Sequence, residues 1–158
     1  IGLIRSHYVG RTFIAPGQNN REFKVKTKFN TVKGVLEDKK VVVVDDSIVR
    51  GTTSRSLINL IREANPKEVH MRITSPPISY PCQYGMDFPS REELIANHHD
   101  AIDGIASSLN ADSLHYLSVD KLMQSVPQGE GIGYCNACFT GQYPVQIDLN
   151  AHKHSTEE

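Results

Sequence analysis

No stretch of the chain approaches 18 uninterrupted apolar residues, and no positively charged leader precedes an apolar run with a cleavage site, so neither membrane insertion nor secretion is expected. The expected location is cytoplasmic, or an organelle after processing. Cysteine is scarce. Cys82, Cys135 and Cys138 form an odd set without secretory signals, which argues against a disulfide framework and toward metal or cluster chemistry. No Gly-Lys-Ser/Thr follows a glycine at Walker A spacing, and no dinucleotide-binding glycine fingerprint occurs. The alternation in Lys24-Val25-Lys26-Thr27-Lys28 could suit an RNA-binding edge strand, but no platform of stacking aromatics accompanies it, so no nucleic-acid partner is expected. There is no internal repeat.

What remains is ample for one globular domain with a real core: 158 residues, of which 39% are hydrophobic and 22% charged. A net charge of −1 conceals an asymmetry, since residues 1 to 33 hold seven Lys or Arg against one acid. That basic end should meet an anion.

The chain is organised around Val41 to Ser54. Four consecutive valines fit a strand buried on both faces in the middle of a parallel sheet. Ligands of open α/β sheets bind beyond the carboxyl ends of the strands, where Asp45 and Asp46 emerge. Gly51-Thr52-Thr53-Ser54 then leads into a helix, placing backbone N–H groups and three hydroxyls toward the same crevice. The first N–H groups of a helix lack internal partners and its dipole favours negative charge, so this is an anion site. Paired acids beside a phosphate turn suggest a sugar, because carboxylates accept hydrogen bonds from ribose hydroxyls and can hold Mg²⁺.

Around the turn signal Ala15 to Asn20, Arg5, Arg11, Arg21, Lys24, Lys26 and Lys28 suit either a solvated hairpin or a basic flap over a polyphosphate. Leu57, Leu60, Ile61 and Ala64 recur at helical spacing until Asn65-Pro66, and Val69, Met71 and Ile73 alternate with His70 and Arg72 as a second strand. His70 reads as a surface histidine. Ser90-Arg91-Glu92-Glu93 predicts a capping box opening a helix through about Asn97. Ile102, Ile105, Ala106 and Leu109 predict another helix, Ser113 to Leu117 a third strand, and Ser118 the cap of a helix bearing Leu122, Met123 and Val126. This alternation predicts a parallel α/β sheet. His98-His99-Asp100 is better explained as a junction between helices than as a metal site. Cys135-Asn136-Ala137-Cys138 has the spacing of half a zinc site, a redox dithiol or part of an iron–sulfur cluster, with Cys82 a possible third ligand.

At these residues the chain resembles a known family. Val41 to Thr53 is similar to the phosphoribosyl pyrophosphate (PRPP) motif of type I phosphoribosyltransferases, and Val44 to Ser54 in full resembles that of the amidophosphoribosyltransferases. Tyr8 to Ile14, Ser75-Pro76-Pro77-Ile78, Glu93-Leu94-Ile95-Ala96 and Cys135 to Gly141 resemble the same family, in order. The resemblance implies an incomplete type I phosphoribosyltransferase fold over residues 1–150, with a flexible catalytic loop at 5–29, the PRPP motif at 41–54, a cysteine-bearing segment at 132–147 and a disordered tail at 151–158. Opening on Ile1 without Met, the chain reads as a fragment, inactive alone, that lacks the N-terminal glutaminase domain and the early strands, so an exposed sheet edge is expected.

The implied reaction is transfer of a phosphoribosyl group from PRPP to ammonia, derived from glutamine, giving 5-phosphoribosylamine and pyrophosphate in the first step of purine synthesis. Arg11 would contact pyrophosphate. Asp45 and Asp46 would hold the ribose hydroxyls and Mg²⁺, and Ser47, Arg50, Gly51, Thr52, Thr53 and Ser54 would surround the 5′-phosphate. Cys82, Cys135 and Cys138 would bind a 4Fe-4S cluster whose fourth ligand lies outside this chain. Purine nucleotides are the implied inhibitors and a homo-oligomer the implied assembly. The alternatives are another PRPP-binding phosphoribosyltransferase acting on a free base and a non-catalytic PRPP-sensing regulator.

Overall fold

A computed structural model describes residues 1–5, 29–86 and 90–146. Strands β1 (Leu3–Arg5) and β2 (Phe29–Thr31) form an antiparallel pair in which Arg5 faces Phe29. Both ends of the segment between them are therefore held together. The expected loop at 5–29, including Arg11, otherwise lies outside the described residues, as does the tail at 151–158. A short helix α1 (Lys33–Leu36) leads to β3 (Lys40–Asp45), helix α2 (Thr52–Arg62) and β4 (Glu68–Ile73). Helix α3 (Ile102–Ser108), β5 (Ser113–Tyr116), α4 (Val119–Gln124) and α5 (Ala137–Thr140) follow. Strands β3, β4 and β5 pair in that order, all parallel, with Val43 beside Met71 and Met71 beside Leu114. The parallel α/β sheet expected from the alternating pattern is present.

The core lies on one face of this sheet. Val69, Met71, Ile73 and Leu114 meet Ile58 and Ile61 of α2 and Ile105 and Ala106 of α3, all buried, with Leu57 only partly covered. At roughly 25 cal/mol per Å² of apolar surface removed from water, this layer is the main source of cohesion. Helix α2 ends where Asn65 takes φ 54°, a left-handed conformation that asparagine tolerates, just before Pro66. Ser118 caps α4 as expected, its Oγ accepting from the Lys121 N–H at 3.3 Å, but that helix stops at Gln124, short of Val126.

Two expectations are corrected. The valine run is not buried on both faces: Val41 and Val43 face the core, whereas Val42 and Val44 are 57% and 66% exposed. Strand β3 is the edge of the sheet, and among the described residues the helices cover only the other face. The segment after Ser90 is not one capped helix. It forms two 3₁₀ turns, Arg91–Glu93 and Ile95–Asn97, broken at Leu94, where ψ is 119°. Leu94 and Ile95 are both buried. The Ile95 N–H donates to the Val49 carbonyl at 3.0 Å and not to a carbonyl one turn back, so the helical ladder is interrupted here.

Asp112 ties three elements together. Its carboxylate accepts from the Val69 N–H and from Arg62 Nη2 at 2.7 Å, while its own N–H donates to the Val69 carbonyl at 2.8 Å. The Val69 N–H, more than Arg62, holds this carboxyl below its ordinary range against the opposing effect of burial. Its stabilisation is therefore complete above the ordinary carboxylate pKa and is lost as pH falls through the depressed one. Asp112→Ala is expected to cost about 1–2 kcal/mol at neutral pH, toward the low end because the group is partly exposed, and to flatten the acid limb of stability. Urea midpoints measured across pH 2 to 7 check both effects.

Candidate anion and sugar site

At the end of β3 the chain leaves the sheet through two acids held by their own neighbours. The Asp46 N–H donates to Asp45 Oδ1 at 3.0 Å, and Ser47 Oγ donates to Asp46 Oδ1 at 3.1 Å. From the end of β4, the Thr74 N–H donates to the Asp45 carbonyl at 3.0 Å. Asp45 is half-buried and Asp46 exposed. Burial pushes the Asp45 carboxyl up; the Asp46 N–H opposes this, and the Asp46 charge adds to the rise. One carboxylate thus points toward the core side of the strand end and the other toward solvent.

The turn that follows is anchored from within. Ile48, the one large apolar side chain between the acids and Arg50 apart from Val49, is buried to 2% exposure. The Val49 carbonyl accepts from the Ile95 N–H at 3.0 Å, and Arg50 Nε donates to Glu93 Oε2 at 2.8 Å. Gly51 then takes φ 75° as the residue before α2. The Arg55 N–H bonds the Gly51 carbonyl at 2.9 Å, so the N–H groups of Thr52, Thr53 and Ser54 precede the first intrahelical bond and, among the described residues, remain for a ligand. Helix α2 has no acid in its first turn and Arg62 in its last, which leaves its positive dipole end uncompensated by side chains.

Asp45 to Ser54 are therefore brought together on one strand, turn and helix start. The Ser54 side chain is buried, so it can serve an anion through its backbone rather than its hydroxyl. Strand β2 packs on α2, which puts the base of the basic segment beside the same helix. His98, His99 and Asp100 belong elsewhere: with Arg91, Glu92 and Asn97 they line an open depression of about 470 Å³ that none of residues 45–54 enters. His98 Nε2 is bonded to the Glu92 carbonyl. His70 sits in a polar network on the outer face of the sheet, 2.9 Å from both Ser113 Oγ and Glu68 Oε2.

The cysteines gather at another corner. The Ser79 and Tyr80 N–H groups donate to the Cys138 carbonyl at 3.0 and 3.1 Å, and Tyr143 Oη donates to the Pro81 carbonyl at 2.7 Å. These bonds dock α5 on the loop bearing Cys82. Burial pushes the Cys138 thiol up, and the neighbouring Cys82 and Cys135 push it further, so Cys138 lies within electrostatic reach of both. Among the described residues, no three His, Cys, Asp or Glu side chains are arranged to hold a metal ion.

Comparison with solved structures places this fold. The chain matches a structure described as the allosteric regulatory enzyme of purine biosynthesis with a TM-score of 0.77 and 49% identity, over 95% of this chain and 33% of that one. It matches glutamine PRPP amidotransferase from Bacillus subtilis, complexed with ADP and GMP, with a TM-score of 0.77 and 48% identity, over 96% and 34%. The architecture is of the phosphoribosyltransferase type. No family model matches the chain. Among curated proteins it is 57% identical over 145 residues to the chloroplastic amidophosphoribosyltransferase of Vigna aconitifolia, spanning 92% of this chain and 30% of the relative. It is 50% identical over 150 residues to amidophosphoribosyltransferase of Bacillus subtilis, spanning 93% and 31%. Over most of its length the chain is thus about half identical to amidophosphoribosyltransferases, and it spans about a third of the length of the relatives it matches.

A side chain at Gly51 would meet both a backbone and a packing penalty. A Cβ there would overlap Ile95 Cδ1 and stand 3.1 Å from Leu109 Cδ2, at a φ that L residues rarely adopt. Gly51→Ala is expected to destabilise by about 2–4 kcal/mol, summing a left-handed residue and an overpacked core. Adding Ile95→Val, which removes the overlapping methyl, should recover part of the loss in a denaturant titration.

Proposed function

We propose that the protein carrying this chain transfers a phosphoribosyl group from PRPP to glutamine-derived ammonia, releasing pyrophosphate and 5-phosphoribosylamine. The observation that carries the reading is the uninterrupted passage from a parallel strand through Asp45 and Asp46 to the glycine-capped start of α2, in a chain about half identical to amidophosphoribosyltransferases. The 5′-phosphate lies on the free N–H groups of Thr52, Thr53 and Ser54, with Ser47, Arg50 and Gly51 around it. Asp45 and Asp46 accept hydrogen bonds from the ribose hydroxyls. Their charge favours the positive character that develops at the anomeric carbon as pyrophosphate departs. Ammonia is already a nucleophile and needs no general base here. Arg11, from the basic segment based beside α2, contacts the leaving pyrophosphate.

Mg²⁺ suits this site, because it commonly takes one or two carboxylates and completes its shell with water and substrate phosphates. Asp45 and Asp46 each retain an oxygen not engaged in the bonds above, and the ion would neutralise pyrophosphate. For the cysteine corner the donor chemistry fits thiolate-bound iron–sulfur, although the described residues form no three-ligand set. In this reading Cys82, Cys135 and Cys138 supply three ligands of a structural 4Fe-4S cluster and a residue outside this chain the fourth. Purine nucleotides, as the Bacillus subtilis neighbour's ADP and GMP suggest, would inhibit by placing their own ribose phosphate on the same turn. The assembly is a homo-oligomer. Among the described residues no helix is long and apolar enough to cross a membrane, and the location is cytoplasmic or, as for the plant relatives, plastidic.

Calorimetry of Mg²⁺ and PRPP with the intact protein tests the sugar site. Asp46→Asn is expected to weaken binding at least about tenfold, the loss of roughly one charge-assisted bond; unchanged binding removes the assignment. Iron content and visible absorbance after anaerobic purification test the second corner. Cys135→Ser should abolish both, and a wild-type protein free of iron would end the cluster reading.

A further inference from the structure

The four residues Glu93-Leu94-Ile95-Ala96 stand out in the sequence, yet none has a place in the chemistry above. In the structure Glu93 and Ile95 grip the anion turn at three successive positions. The Ile95 N–H holds the Val49 carbonyl, Glu93 Oε2 holds Arg50 Nε at 2.8 Å, and the Ile95 side chain occupies the space a side chain at Gly51 would need. Leu94 and Ile95 are buried and fix this segment to the core, so the ion pair is not needed to keep it there. The pair itself is half-exposed, with side-chain exposures of 34% for Arg50 and 52% for Glu93, and such pairs contribute little to stability.

We propose that Glu93 is a positioning residue that aims Arg50 at the 5′-phosphate of PRPP, an inference that rests on the PRPP reading above. Glu93 takes Nε, the inner nitrogen of the guanidinium, and among the described residues no other group bonds Arg50. Both terminal amino groups are left without a partner among the described residues, and they are the pair that engages phosphate in a two-pronged fashion. An arginine without that ion pair would sample many rotamers and lose orientation on each encounter. Glu93 thus acts through Arg50 and does not touch the substrate.

Steady-state kinetics of the intact enzyme, with PRPP varied at saturating Mg²⁺ and ammonia, test this. Glu93→Ala is expected to raise KM for PRPP about three- to fivefold with kcat within about twofold, the size an exposed ion pair can supply and the pattern of a contact made equally in ground and transition states. Glu93→Gln keeps an acceptor for Nε and should restore most of the affinity. In an Arg50→Ala background, Glu93→Ala should change KM by less than about twofold, because coupled residues are not additive. An unchanged or lower KM in Glu93→Ala, equal effects of Gln and Ala, or the same ratio in both backgrounds would overturn the proposal. Should Glu93→Ala lose its melting transition, Glu93→Asp, one methylene shorter, takes its place with the same expected rise. Wild-type protein that binds no PRPP in calorimetry would sink the PRPP reading first and this inference with it, before any Glu93 variant is compared.

Discussion

Where Gly51 turns the chain through φ 75° to begin α2, Ile95 and Leu109 already fill the space beside its Cα, and the geometry of the whole anion turn follows from that crowding. Only glycine satisfies both the dihedral and the packing. With the turn fixed there, the N–H groups of Thr52 to Ser54 point out of the helix start, the Val49 carbonyl faces the Ile95 N–H, and Arg50 emerges beside Glu93. A residue with a Cβ at this point would have to displace Ile95 or leave the left-handed conformation, moving the helix start relative to the carboxylates. An oxyanion held by several N–H groups tolerates little such drift, since hydrogen bonds weaken steeply with misalignment.

The sheet supplies the other coordinate of the site. Strand β3 lies at an edge, but its last residue is tied to β4 through Thr74, so the acids are held to the strand that forms the centre of the sheet. Beside α2, the β1–β2 ribbon joins the two ends of the basic segment. Two sources of charge therefore meet from distinct elements, carboxylates from a strand end and N–H dipoles from a helix start. Neither of them depends on the cysteine corner, which is docked by its own backbone hydrogen bonds from Ser79 and Tyr80.

Much of this was legible because period and punctuation agree in the sequence. Val69, Met71 and Ile73 alternate and do bury one face of β4, while Asn65-Pro66 and Ser118 mark real helix boundaries. The valine run misled because a continuous apolar strand shows only that both faces tolerate burial; which face is covered depends on residues far away. The capping-box pattern after Ser90 was overridden at Ile95, whose N–H bonds the Val49 carbonyl, a tertiary contact that local propensity cannot express. For Glu93 the sequence offered a family resemblance but no role, since its partner Arg50 lies 43 residues away. Ile48 left a usable signal. A large apolar residue in the middle of a turn otherwise made of acids, hydroxyls and arginine is there to be buried.

The raised carboxyl of Asp45 links proton binding to ligand binding. In the ligand-free fold its desolvation favours the protonated form, so ionisation there opposes folding and the opposition grows as pH rises from the ordinary carboxylate value through the raised one. A ligand that brings a cation to Asp45 and Asp46 lowers that pKa again and expels whatever proton is bound. Over the interval where Asp45 is partly protonated, affinity for any ligand that favours its ionised form, through a cation or through donated hydrogen bonds, climbs with pH. The half-burial of Asp45 thus couples its protonation to whatever charge stands beside the end of β3.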